Sequence, residues 1–65
     1  MNYSVQVWQP APDGVGGEWR TIARGMERSD AMRLARNTPG RLGTIRVTEW
    51  RGGMNWQRVW DNHTD

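Results

Sequence analysis

The chain has 65 residues, a net charge of +2 at pH 7 and no cysteine, so it forms one small domain without disulfides or thiolate-bound metal. Its apolar runs are far shorter than the roughly 20 residues of a membrane-spanning helix. Met1 leads directly into a strand pattern, without the basic and apolar segments of a signal peptide.

Two strands are predicted before the only helical segment. Residues Tyr3–Gln9 alternate between apolar and polar side chains, as a half-buried strand does. Pro10–Gly17 is rich in proline and glycine and predicts a loop. Glu18–Arg24 predicts the second strand, whose orientation is ambiguous. We favour Ile22 pointing inward, and a bulge that turns both Trp19 and Ile22 inward is the alternative.

One helix is predicted over Ser29–Asn37. Ser29 is a suitable N-cap residue, and Asp30 adds the negative charge that the first turn favours. Pro39 ends the helix because it disfavours helical geometry at the preceding residue. The apolar stripe has the i, i+3, i+4 spacing of a helix that packs on one side, and consists of Ala31, Leu34 and Ala35.

Two further strands follow the helix. Thr44–Trp50 is the clearest strand of the chain, β-branched and alternating. The glycines of Arg51–Asn55 predict a hairpin turn into the last strand, Trp56–Trp60. We therefore predict a domain over residues 1–60 and a polar tail over 61–65 that frays.

The order β-β-α-β-β predicts an α+β domain, in which a four-stranded antiparallel sheet of order 2-1-3-4 carries one helix on one face. The helix should cover the aliphatic face of the sheet. The predicted inward side chains are Tyr3, Val5, Val7, Ile22, Ile45, Val47 and Val59, together with Leu34 of the helix.

Five tryptophans are many for so small a domain, and strand alternation can place all five on the face that the helix leaves open. Arg46 and Arg58 should share this face, where guanidinium planes can stack on indoles. Three interpretations remain open: a self-covering layer, a contact with a protein or a second copy, and binding of nucleic acid by stacking and phosphate contacts. Glu49 and Asp61 near the patch disfavour the third. The predicted contact residues are Trp8, Arg46, Trp50, Trp56, Arg58 and Trp60.

Residues suited to catalysis or metal binding form no recognisable constellation. His63, the only histidine, lies in the predicted tail. The acidic residues are scattered over different elements without the pairing that acid–base chemistry needs. We therefore expect a protein that is not an enzyme, with no catalytic residues, metal, cofactor or small-molecule substrate.

The segments Y-S-V-Q-V, G-E-W-R-T-I-A, S-D-A-M-R-L-A-R and I-R-V-T-E resemble, over about residues 3–50, a group of small uncharacterised proteins of bacteriophages and GC-rich bacteria. That resemblance implies the β-β-α-β-β pattern and no activity. A second similarity is to the sheet-plus-helix domains by which some phage integrases bind arm sites on DNA. Three strands precede the helix there and two precede it here, so no residue roles carry over.

All nine basic residues are arginine, which also suggests a GC-rich genome because arginine codons are rich in G and C. Taken together, these features lead us to expect a phage or bacterial binding protein of the cytoplasm, or of the host cytoplasm if a phage encodes it. Its partner is expected to be a host protein or its own copy, bound through the tryptophan–arginine face. Nucleic-acid binding by the same face is the alternative.

Overall fold

The computed structural model describes residues 2–63 and confirms the predicted α+β fold. All strand pairs are antiparallel, and the strand order is β2-β1-β3-β4. One end of the predicted domain, Met1, and the tail residues Thr64 and Asp65 lie outside the described part. The elements are β1 (Tyr3–Pro10), β2 (Gly17–Met26), α1 (Arg28–Asn37), β3 (Ile45–Trp50) and β4 (Trp56–Asp61).

The core lies between α1 and the two central strands. Val5 of β1 and Ile45 and Val47 of β3 are fully buried against Ala31 and Ala35 of the helix. The two alanines let the helix approach the sheet closely, because they add only a methyl group to its surface. Partly buried side chains surround this centre: Tyr3, Val7, Met26, Met32, Leu34, Val59 and Trp60.

The helix starts one residue earlier than predicted. Glu27 is the N-cap residue and makes no side-chain capping hydrogen bond, so the prediction of Ser29 as N-cap is wrong. At the other end Thr38 is extended, with ψ of 122°, as expected for a residue before proline. Its hydroxyl donates to the Leu34 carbonyl oxygen at 2.7 Å. With ten residues α1 is too short to span a membrane, and no described helix has the length and apolar character to do so.

A bulge in β2 changes the orientation that we favoured for Ile22. Val5 pairs with Ala23 and Gln6 pairs with Thr21, which leaves Ile22 as the extra residue. Ala23 therefore opposes the buried Val5, while the Ile22 side chain is 49% exposed. The prediction of Ile22 in the core is wrong. Trp19 opposes Trp8 on the face away from the helix, so the alternative of an inward Trp19 is wrong as well.

A bulge in β4 moves Trp60 to the helix side. Val47 pairs with Trp60 and Thr48 pairs with Arg58, so Val59 is the extra residue. Both Val59 and Trp60 pack against the core. The inward position of Val59 is confirmed, and the predicted position of Trp60 on the opposite face is wrong.

The expected fraying does not begin at residue 61. Asp61 belongs to β4 and pairs with Arg46. The Asn62 side-chain oxygen accepts from the backbone N–H groups of Gly43 at 2.9 Å and Ile45 at 3.1 Å, and its amide nitrogen donates to the Arg41 carbonyl oxygen at 2.9 Å. These bonds hold the chain after β4 against the turn that precedes β3.

Candidate functional site

The sheet face that α1 does not cover carries most of the tryptophan. We call it the open face and assign residues to it from the strand register, because directly paired residues project to the same side. Four of the five tryptophans lie on it. The open face consists of Ser4, Gln6 and Trp8 of β1, Trp19 and Thr21 of β2, Arg46, Thr48 and Trp50 of β3, and Trp56, Arg58 and Asp61 of β4. Arg24 of β2 has no direct partner in the ladder and is assigned to the same face because it lines a pocket with Ser4, Trp50 and Trp56.

At one end of the open face, Trp8, Trp19 and Arg46 form a stacked cluster. The ring centroids of Trp8 and Trp19 are 5.5 Å apart in an edge-to-face arrangement, with 67° between the planes. The guanidinium carbon of Arg46 lies 4.0 Å from the Trp19 ring centroid. Gly17 allows this packing, since a Cβ there would lie 2.7 Å from Cζ2 of Trp8. The stacked cluster therefore covers much of its own aromatic surface.

Arg46 is held by hydrogen bonds as well as by stacking. Its Nε donates to Oε1 of Gln6 at 2.7 Å, and Nε2 of Gln6 donates to the Thr21 hydroxyl oxygen at 3.1 Å. Burial lowers the pKa of Arg46, and the positive charge of Arg58 lowers it further; an arginine nevertheless stays protonated in folded proteins. These hydrogen bonds join β3, β1 and β2, and they hold the Arg46 side chain against its own domain.

At the other end, Trp50 and Trp56 pair directly across β3 and β4. We call these two residues the indole pair. Trp50 is 40% exposed and Trp56 is 56% exposed. The indole N–H of Trp50 donates to the Gly53 carbonyl oxygen at 2.8 Å, so the hairpin turn fixes the orientation of its ring. The indole pair is thus an oriented, solvent-facing aromatic surface.

A small pocket of about 260 Å³ adjoins the indole pair. It forms where two residues of β2, Arg24 and Gly25, lie opposite Ser4 alone, since Tyr3 pairs with Met26 and Val5 with Ala23. Gly25 has a φ of +67°, the conformation found in bulges that redirect a neighbouring side chain. The pocket is lined by Asn2, Ser4, Arg24, Gly25, Trp50 and Trp56.

The charges on the open face are mostly positive. Arg58 forms an ion pair with Asp61, with Nη1 and Oδ2 3.3 Å apart, and Arg46 belongs to the stacked cluster. Within residues 2–63, Arg24 forms no ion pair. Glu49, which we expected near the patch, pairs with Tyr3 in the sheet and so projects to the helix side.

Two hydroxyl side chains lie in the middle of the open face and are almost fully buried. Ser4 and Thr48 pair across β1 and β3 and are 3% and 4% exposed. The Thr48 hydroxyl has no hydrogen-bond partner within the described part of the chain. A buried hydroxyl without a partner is unfavourable.

The predicted contact residues are therefore divided among three places. Trp50, Trp56 and Arg58 lie at the indole-pair end, Trp8 and Arg46 lie in the stacked cluster, and Trp60 lies on the other side of the sheet. Sequence reasoning missed Arg24. The glycine that follows it in A-R-G-M was the available signal, because glycine inside a strand pattern often marks a bulge.

Two other hollows lie on the helix side. One, of about 430 Å³, has Val7, Ile22 and Thr38 among its lining residues. The other follows the outer surface of α1 beside Arg28, Arg33 and Arg36. Within residues 2–63, no three His, Cys, Asp or Glu side chains are grouped closely enough to bind a metal ion.

Comparison of the chain with protein-family models, with curated proteins and with solved structures gave no match. A function must therefore be inferred from the open face itself.

Proposed function

We propose that this protein is a non-enzymatic binding module that contacts another protein through the indole-pair end of its open face. The observation that carries the proposal is the exposure of two adjacent tryptophans, 40% and 56%, beside a pocket that contains an arginine. Tryptophan and arginine are enriched among the residues that dominate protein–protein affinity, and such residues cluster around small pockets.

The two halves of the open face differ in how much aromatic surface they offer. In the stacked cluster, Arg46 covers one face of Trp19, and Trp8 packs against Trp19 in an edge-to-face arrangement. Within residues 2–63 neither ring of the indole pair has such cover, although Arg24 lines the pocket beside them. Large exposed aromatic side chains favour association: an aromatic residue can bury about 150–250 Å² in all, and these two rings, 40% and 56% exposed, still offer roughly half of that area each.

A different protein is the favoured partner over a second copy. Two copies would each bring a net charge of +2 and a mostly positive face, and like charges across an interface oppose association. The sheet edges are also poor templates for pairing, since Ile22 and Val59 are bulged residues in β2 and β4, and bulges at edges discourage strand addition. A partner with acidic groups meets neither obstacle.

The double substitution W50A/W56A tests the proposal. Peptides selected from a displayed random library on the immobilised wild-type protein are expected to bind the double variant at least tenfold more weakly, since a hot-spot residue contributes about 2 kcal/mol or more. Binding is measured by titration calorimetry. The free energy of unfolding of the variant should lie within about 2 kcal/mol of that of wild type, because both rings are only partly buried.

Met54→Ala is the matched control, because Met54 is 94% exposed in the same hairpin and lies outside the proposed surface. It should leave binding unchanged. Selected peptides that bind W50A/W56A as tightly as wild type contradict the proposal. So does a double variant that unfolds by several kcal/mol, because the two indoles would then serve folding.

Binding of single-stranded nucleic acid is the second candidate. The observation that favours it is the excess of positive charge on the open face. This face carries three arginines, Arg24, Arg46 and Arg58, and one carboxylate, Asp61. Exposed aromatic rings also stack on bases whatever the sequence. Titration of a labelled oligothymidylate at two salt concentrations decides: binding at low salt that weakens steeply with added salt supports this candidate, and no binding at low salt excludes it.

Binding of a second copy is tested separately by sedimentation over a concentration series, in which we expect the monomer mass throughout.

We further propose a phage or GC-rich bacterial origin, which the use of arginine in place of lysine supports, and action in the cytoplasm.

A further inference from the structure

We infer that the pocket beside the indole pair receives the carboxylate side chain of an acidic residue of the partner, which forms an ion pair with Arg24. This inference rests on the proposed function and adds to it the chemistry of the group that the partner inserts. It assigns Arg24, absent from the sequence-based hypothesis, as the residue that selects for acidic partners.

The first argument is the state of the arginines on the open face. Arg58 is already paired with Asp61 at 3.3 Å, and Arg46 donates to Gln6 and stacks on Trp19. Arg24 alone lines the pocket and lacks an ion pair within residues 2–63. A guanidinium is most useful to a partner when no internal carboxylate competes for it, because the five N–H donors are then available.

The second argument is the shape of the pocket. At about 260 Å³ it is smaller than the roughly 300–1,000 Å³ of sites that hold a drug-sized ligand, and suits a single side chain. Trp50 and Trp56 supply apolar walls for a methylene stem. Arg24 and the Ser4 hydroxyl supply polar groups. A short apolar stem that ends in a carboxylate matches both kinds of lining.

The third argument is the backbone that positions Arg24. At this bulge two residues of β2, Arg24 and Gly25, lie opposite one residue of β1, Ser4. Gly25 adopts a φ of +67°. A Cβ at Gly25 would meet nothing within 4 Å, so the glycine serves the backbone conformation and not close packing. Bulges of this kind redirect side chains next to binding sites.

A carboxylate fits this site better than the phosphate of a nucleic acid. A phosphate group is generally bound by several cations or by a row of backbone N–H groups, and among residues 2–63 Arg24 is the only cationic residue that lines the pocket. Strand binding also needs a groove that follows the backbone over several nucleotides. Of the other arginines on the open face, Arg58 already has a carboxylate partner, and Arg46 is held by Gln6 and Trp19.

The test uses the wild-type chain and two capped amino acids, N-acetyl-glutamate amide and N-acetyl-glutamine amide, in an NMR titration at low salt. The glutamate compound is expected to shift the indole N–H signals of Trp50 and Trp56 and the Arg24 Nε–H signal in a saturable way. The glutamine compound should bind at least about fivefold more weakly, since it has the same stem without the charge.

Arg24→Gln should weaken glutamate binding by at least about fivefold and make the two compounds equivalent. Arg33→Gln is the matched control, because it removes the same charge from the exposed surface of α1, where Arg33 lies with a side-chain exposure of 74%. It should leave the glutamate titration unchanged.

Three results overturn the inference: no saturable shift at the indole pair, equal binding of both compounds, or inorganic phosphate giving the same shifts at lower concentration than glutamate. Its failure is distinguishable from failure of the proposed function. Selected peptides that depend on Trp50 and Trp56 but tolerate Arg24→Gln keep the protein-binding role and eliminate the acidic pocket.

Discussion

Thr48 is the one described side chain with a fully buried polar atom that makes no hydrogen bond. It lies between Ser4 and Arg58 on the open face, two residues along β3 from both Arg46 and Trp50. The β-branched side chain suits a central strand, and the hydroxyl adds an unfavourable buried group. The middle of the open face therefore contains a buried polar group without a hydrogen bond, unlike the described residues of the helix side and of the stacked cluster.

Thr48→Val is expected to stabilise the protein by about 1 kcal/mol, because valine keeps the shape of threonine and removes the unpaired hydroxyl. Chemical denaturation measures the change. Thr21→Val is the control on the same face, since the Thr21 hydroxyl accepts from Gln6, and it should be neutral or slightly destabilising. A clear loss of stability in Thr48→Val would mean that the hydroxyl is hydrogen bonded in solution.

The strands differ in how well their alternation predicts the direction of side chains. β1 and β3 are central, and Val5 and Val47 point inward as predicted. β2 and β4 are edge strands, and each contains at least one extra residue. A central strand is held in register by hydrogen-bond ladders on both sides. An extra residue in an edge strand locally disrupts the hydrogen bonds of only one ladder. Alternation alone does not reveal where that residue lies, which is why Ile22 and Trp60 were assigned wrongly.

Local sequence also predicts the helix only in part. The apolar stripe of Ala31, Leu34 and Ala35 and the stop before Pro39 follow from local spacing and backbone chemistry, and these features are present. The cap lies two residues before the predicted one, at Glu27 instead of Ser29, and Glu27 is extended and makes no side-chain capping bond. Met26, the residue before the cap, packs against the core, and sequence propensity does not include such tertiary packing.

The bulge at Val59 predicts opposite behaviour for the two tryptophans of β4. Trp60→Ala should cost about 2–4 kcal/mol, since it removes a large side chain packed on the core. Trp56→Ala should cost less than about 1 kcal/mol, because its ring faces solvent. Thermal and denaturant unfolding measure both. Similar costs for the two variants would show that β4 follows regular alternation, with both rings on the open face.

The molecule is a thin slab of 35 × 27 × 19 Å, with its two faces covered by different means. One helix covers one side of the sheet. On the other side the stacked cluster covers one end and leaves the indole pair exposed. Composition predicts the surplus of tryptophan, and strand parity predicts the face for four of the five rings. One end of that face is covered because Arg46 stacks on Trp19. Which arginine contacts which ring depends on the three-dimensional arrangement of the side chains, and strand alternation does not predict it.

The difference between the covered and the exposed end of the open face is tested most directly by fluorine NMR of the protein labelled with 5-fluorotryptophan, in the presence of a soluble paramagnetic probe. The five signals are assigned through single Trp→Phe variants. The predicted result is strongest broadening for Trp56, then Trp50, with Trp8, Trp19 and Trp60 broadened less. Protection of Trp50 and Trp56 in a dilute monomer, or broadening of Trp60 to the level of Trp56, would contradict the exposed indole pair on which the proposed function depends.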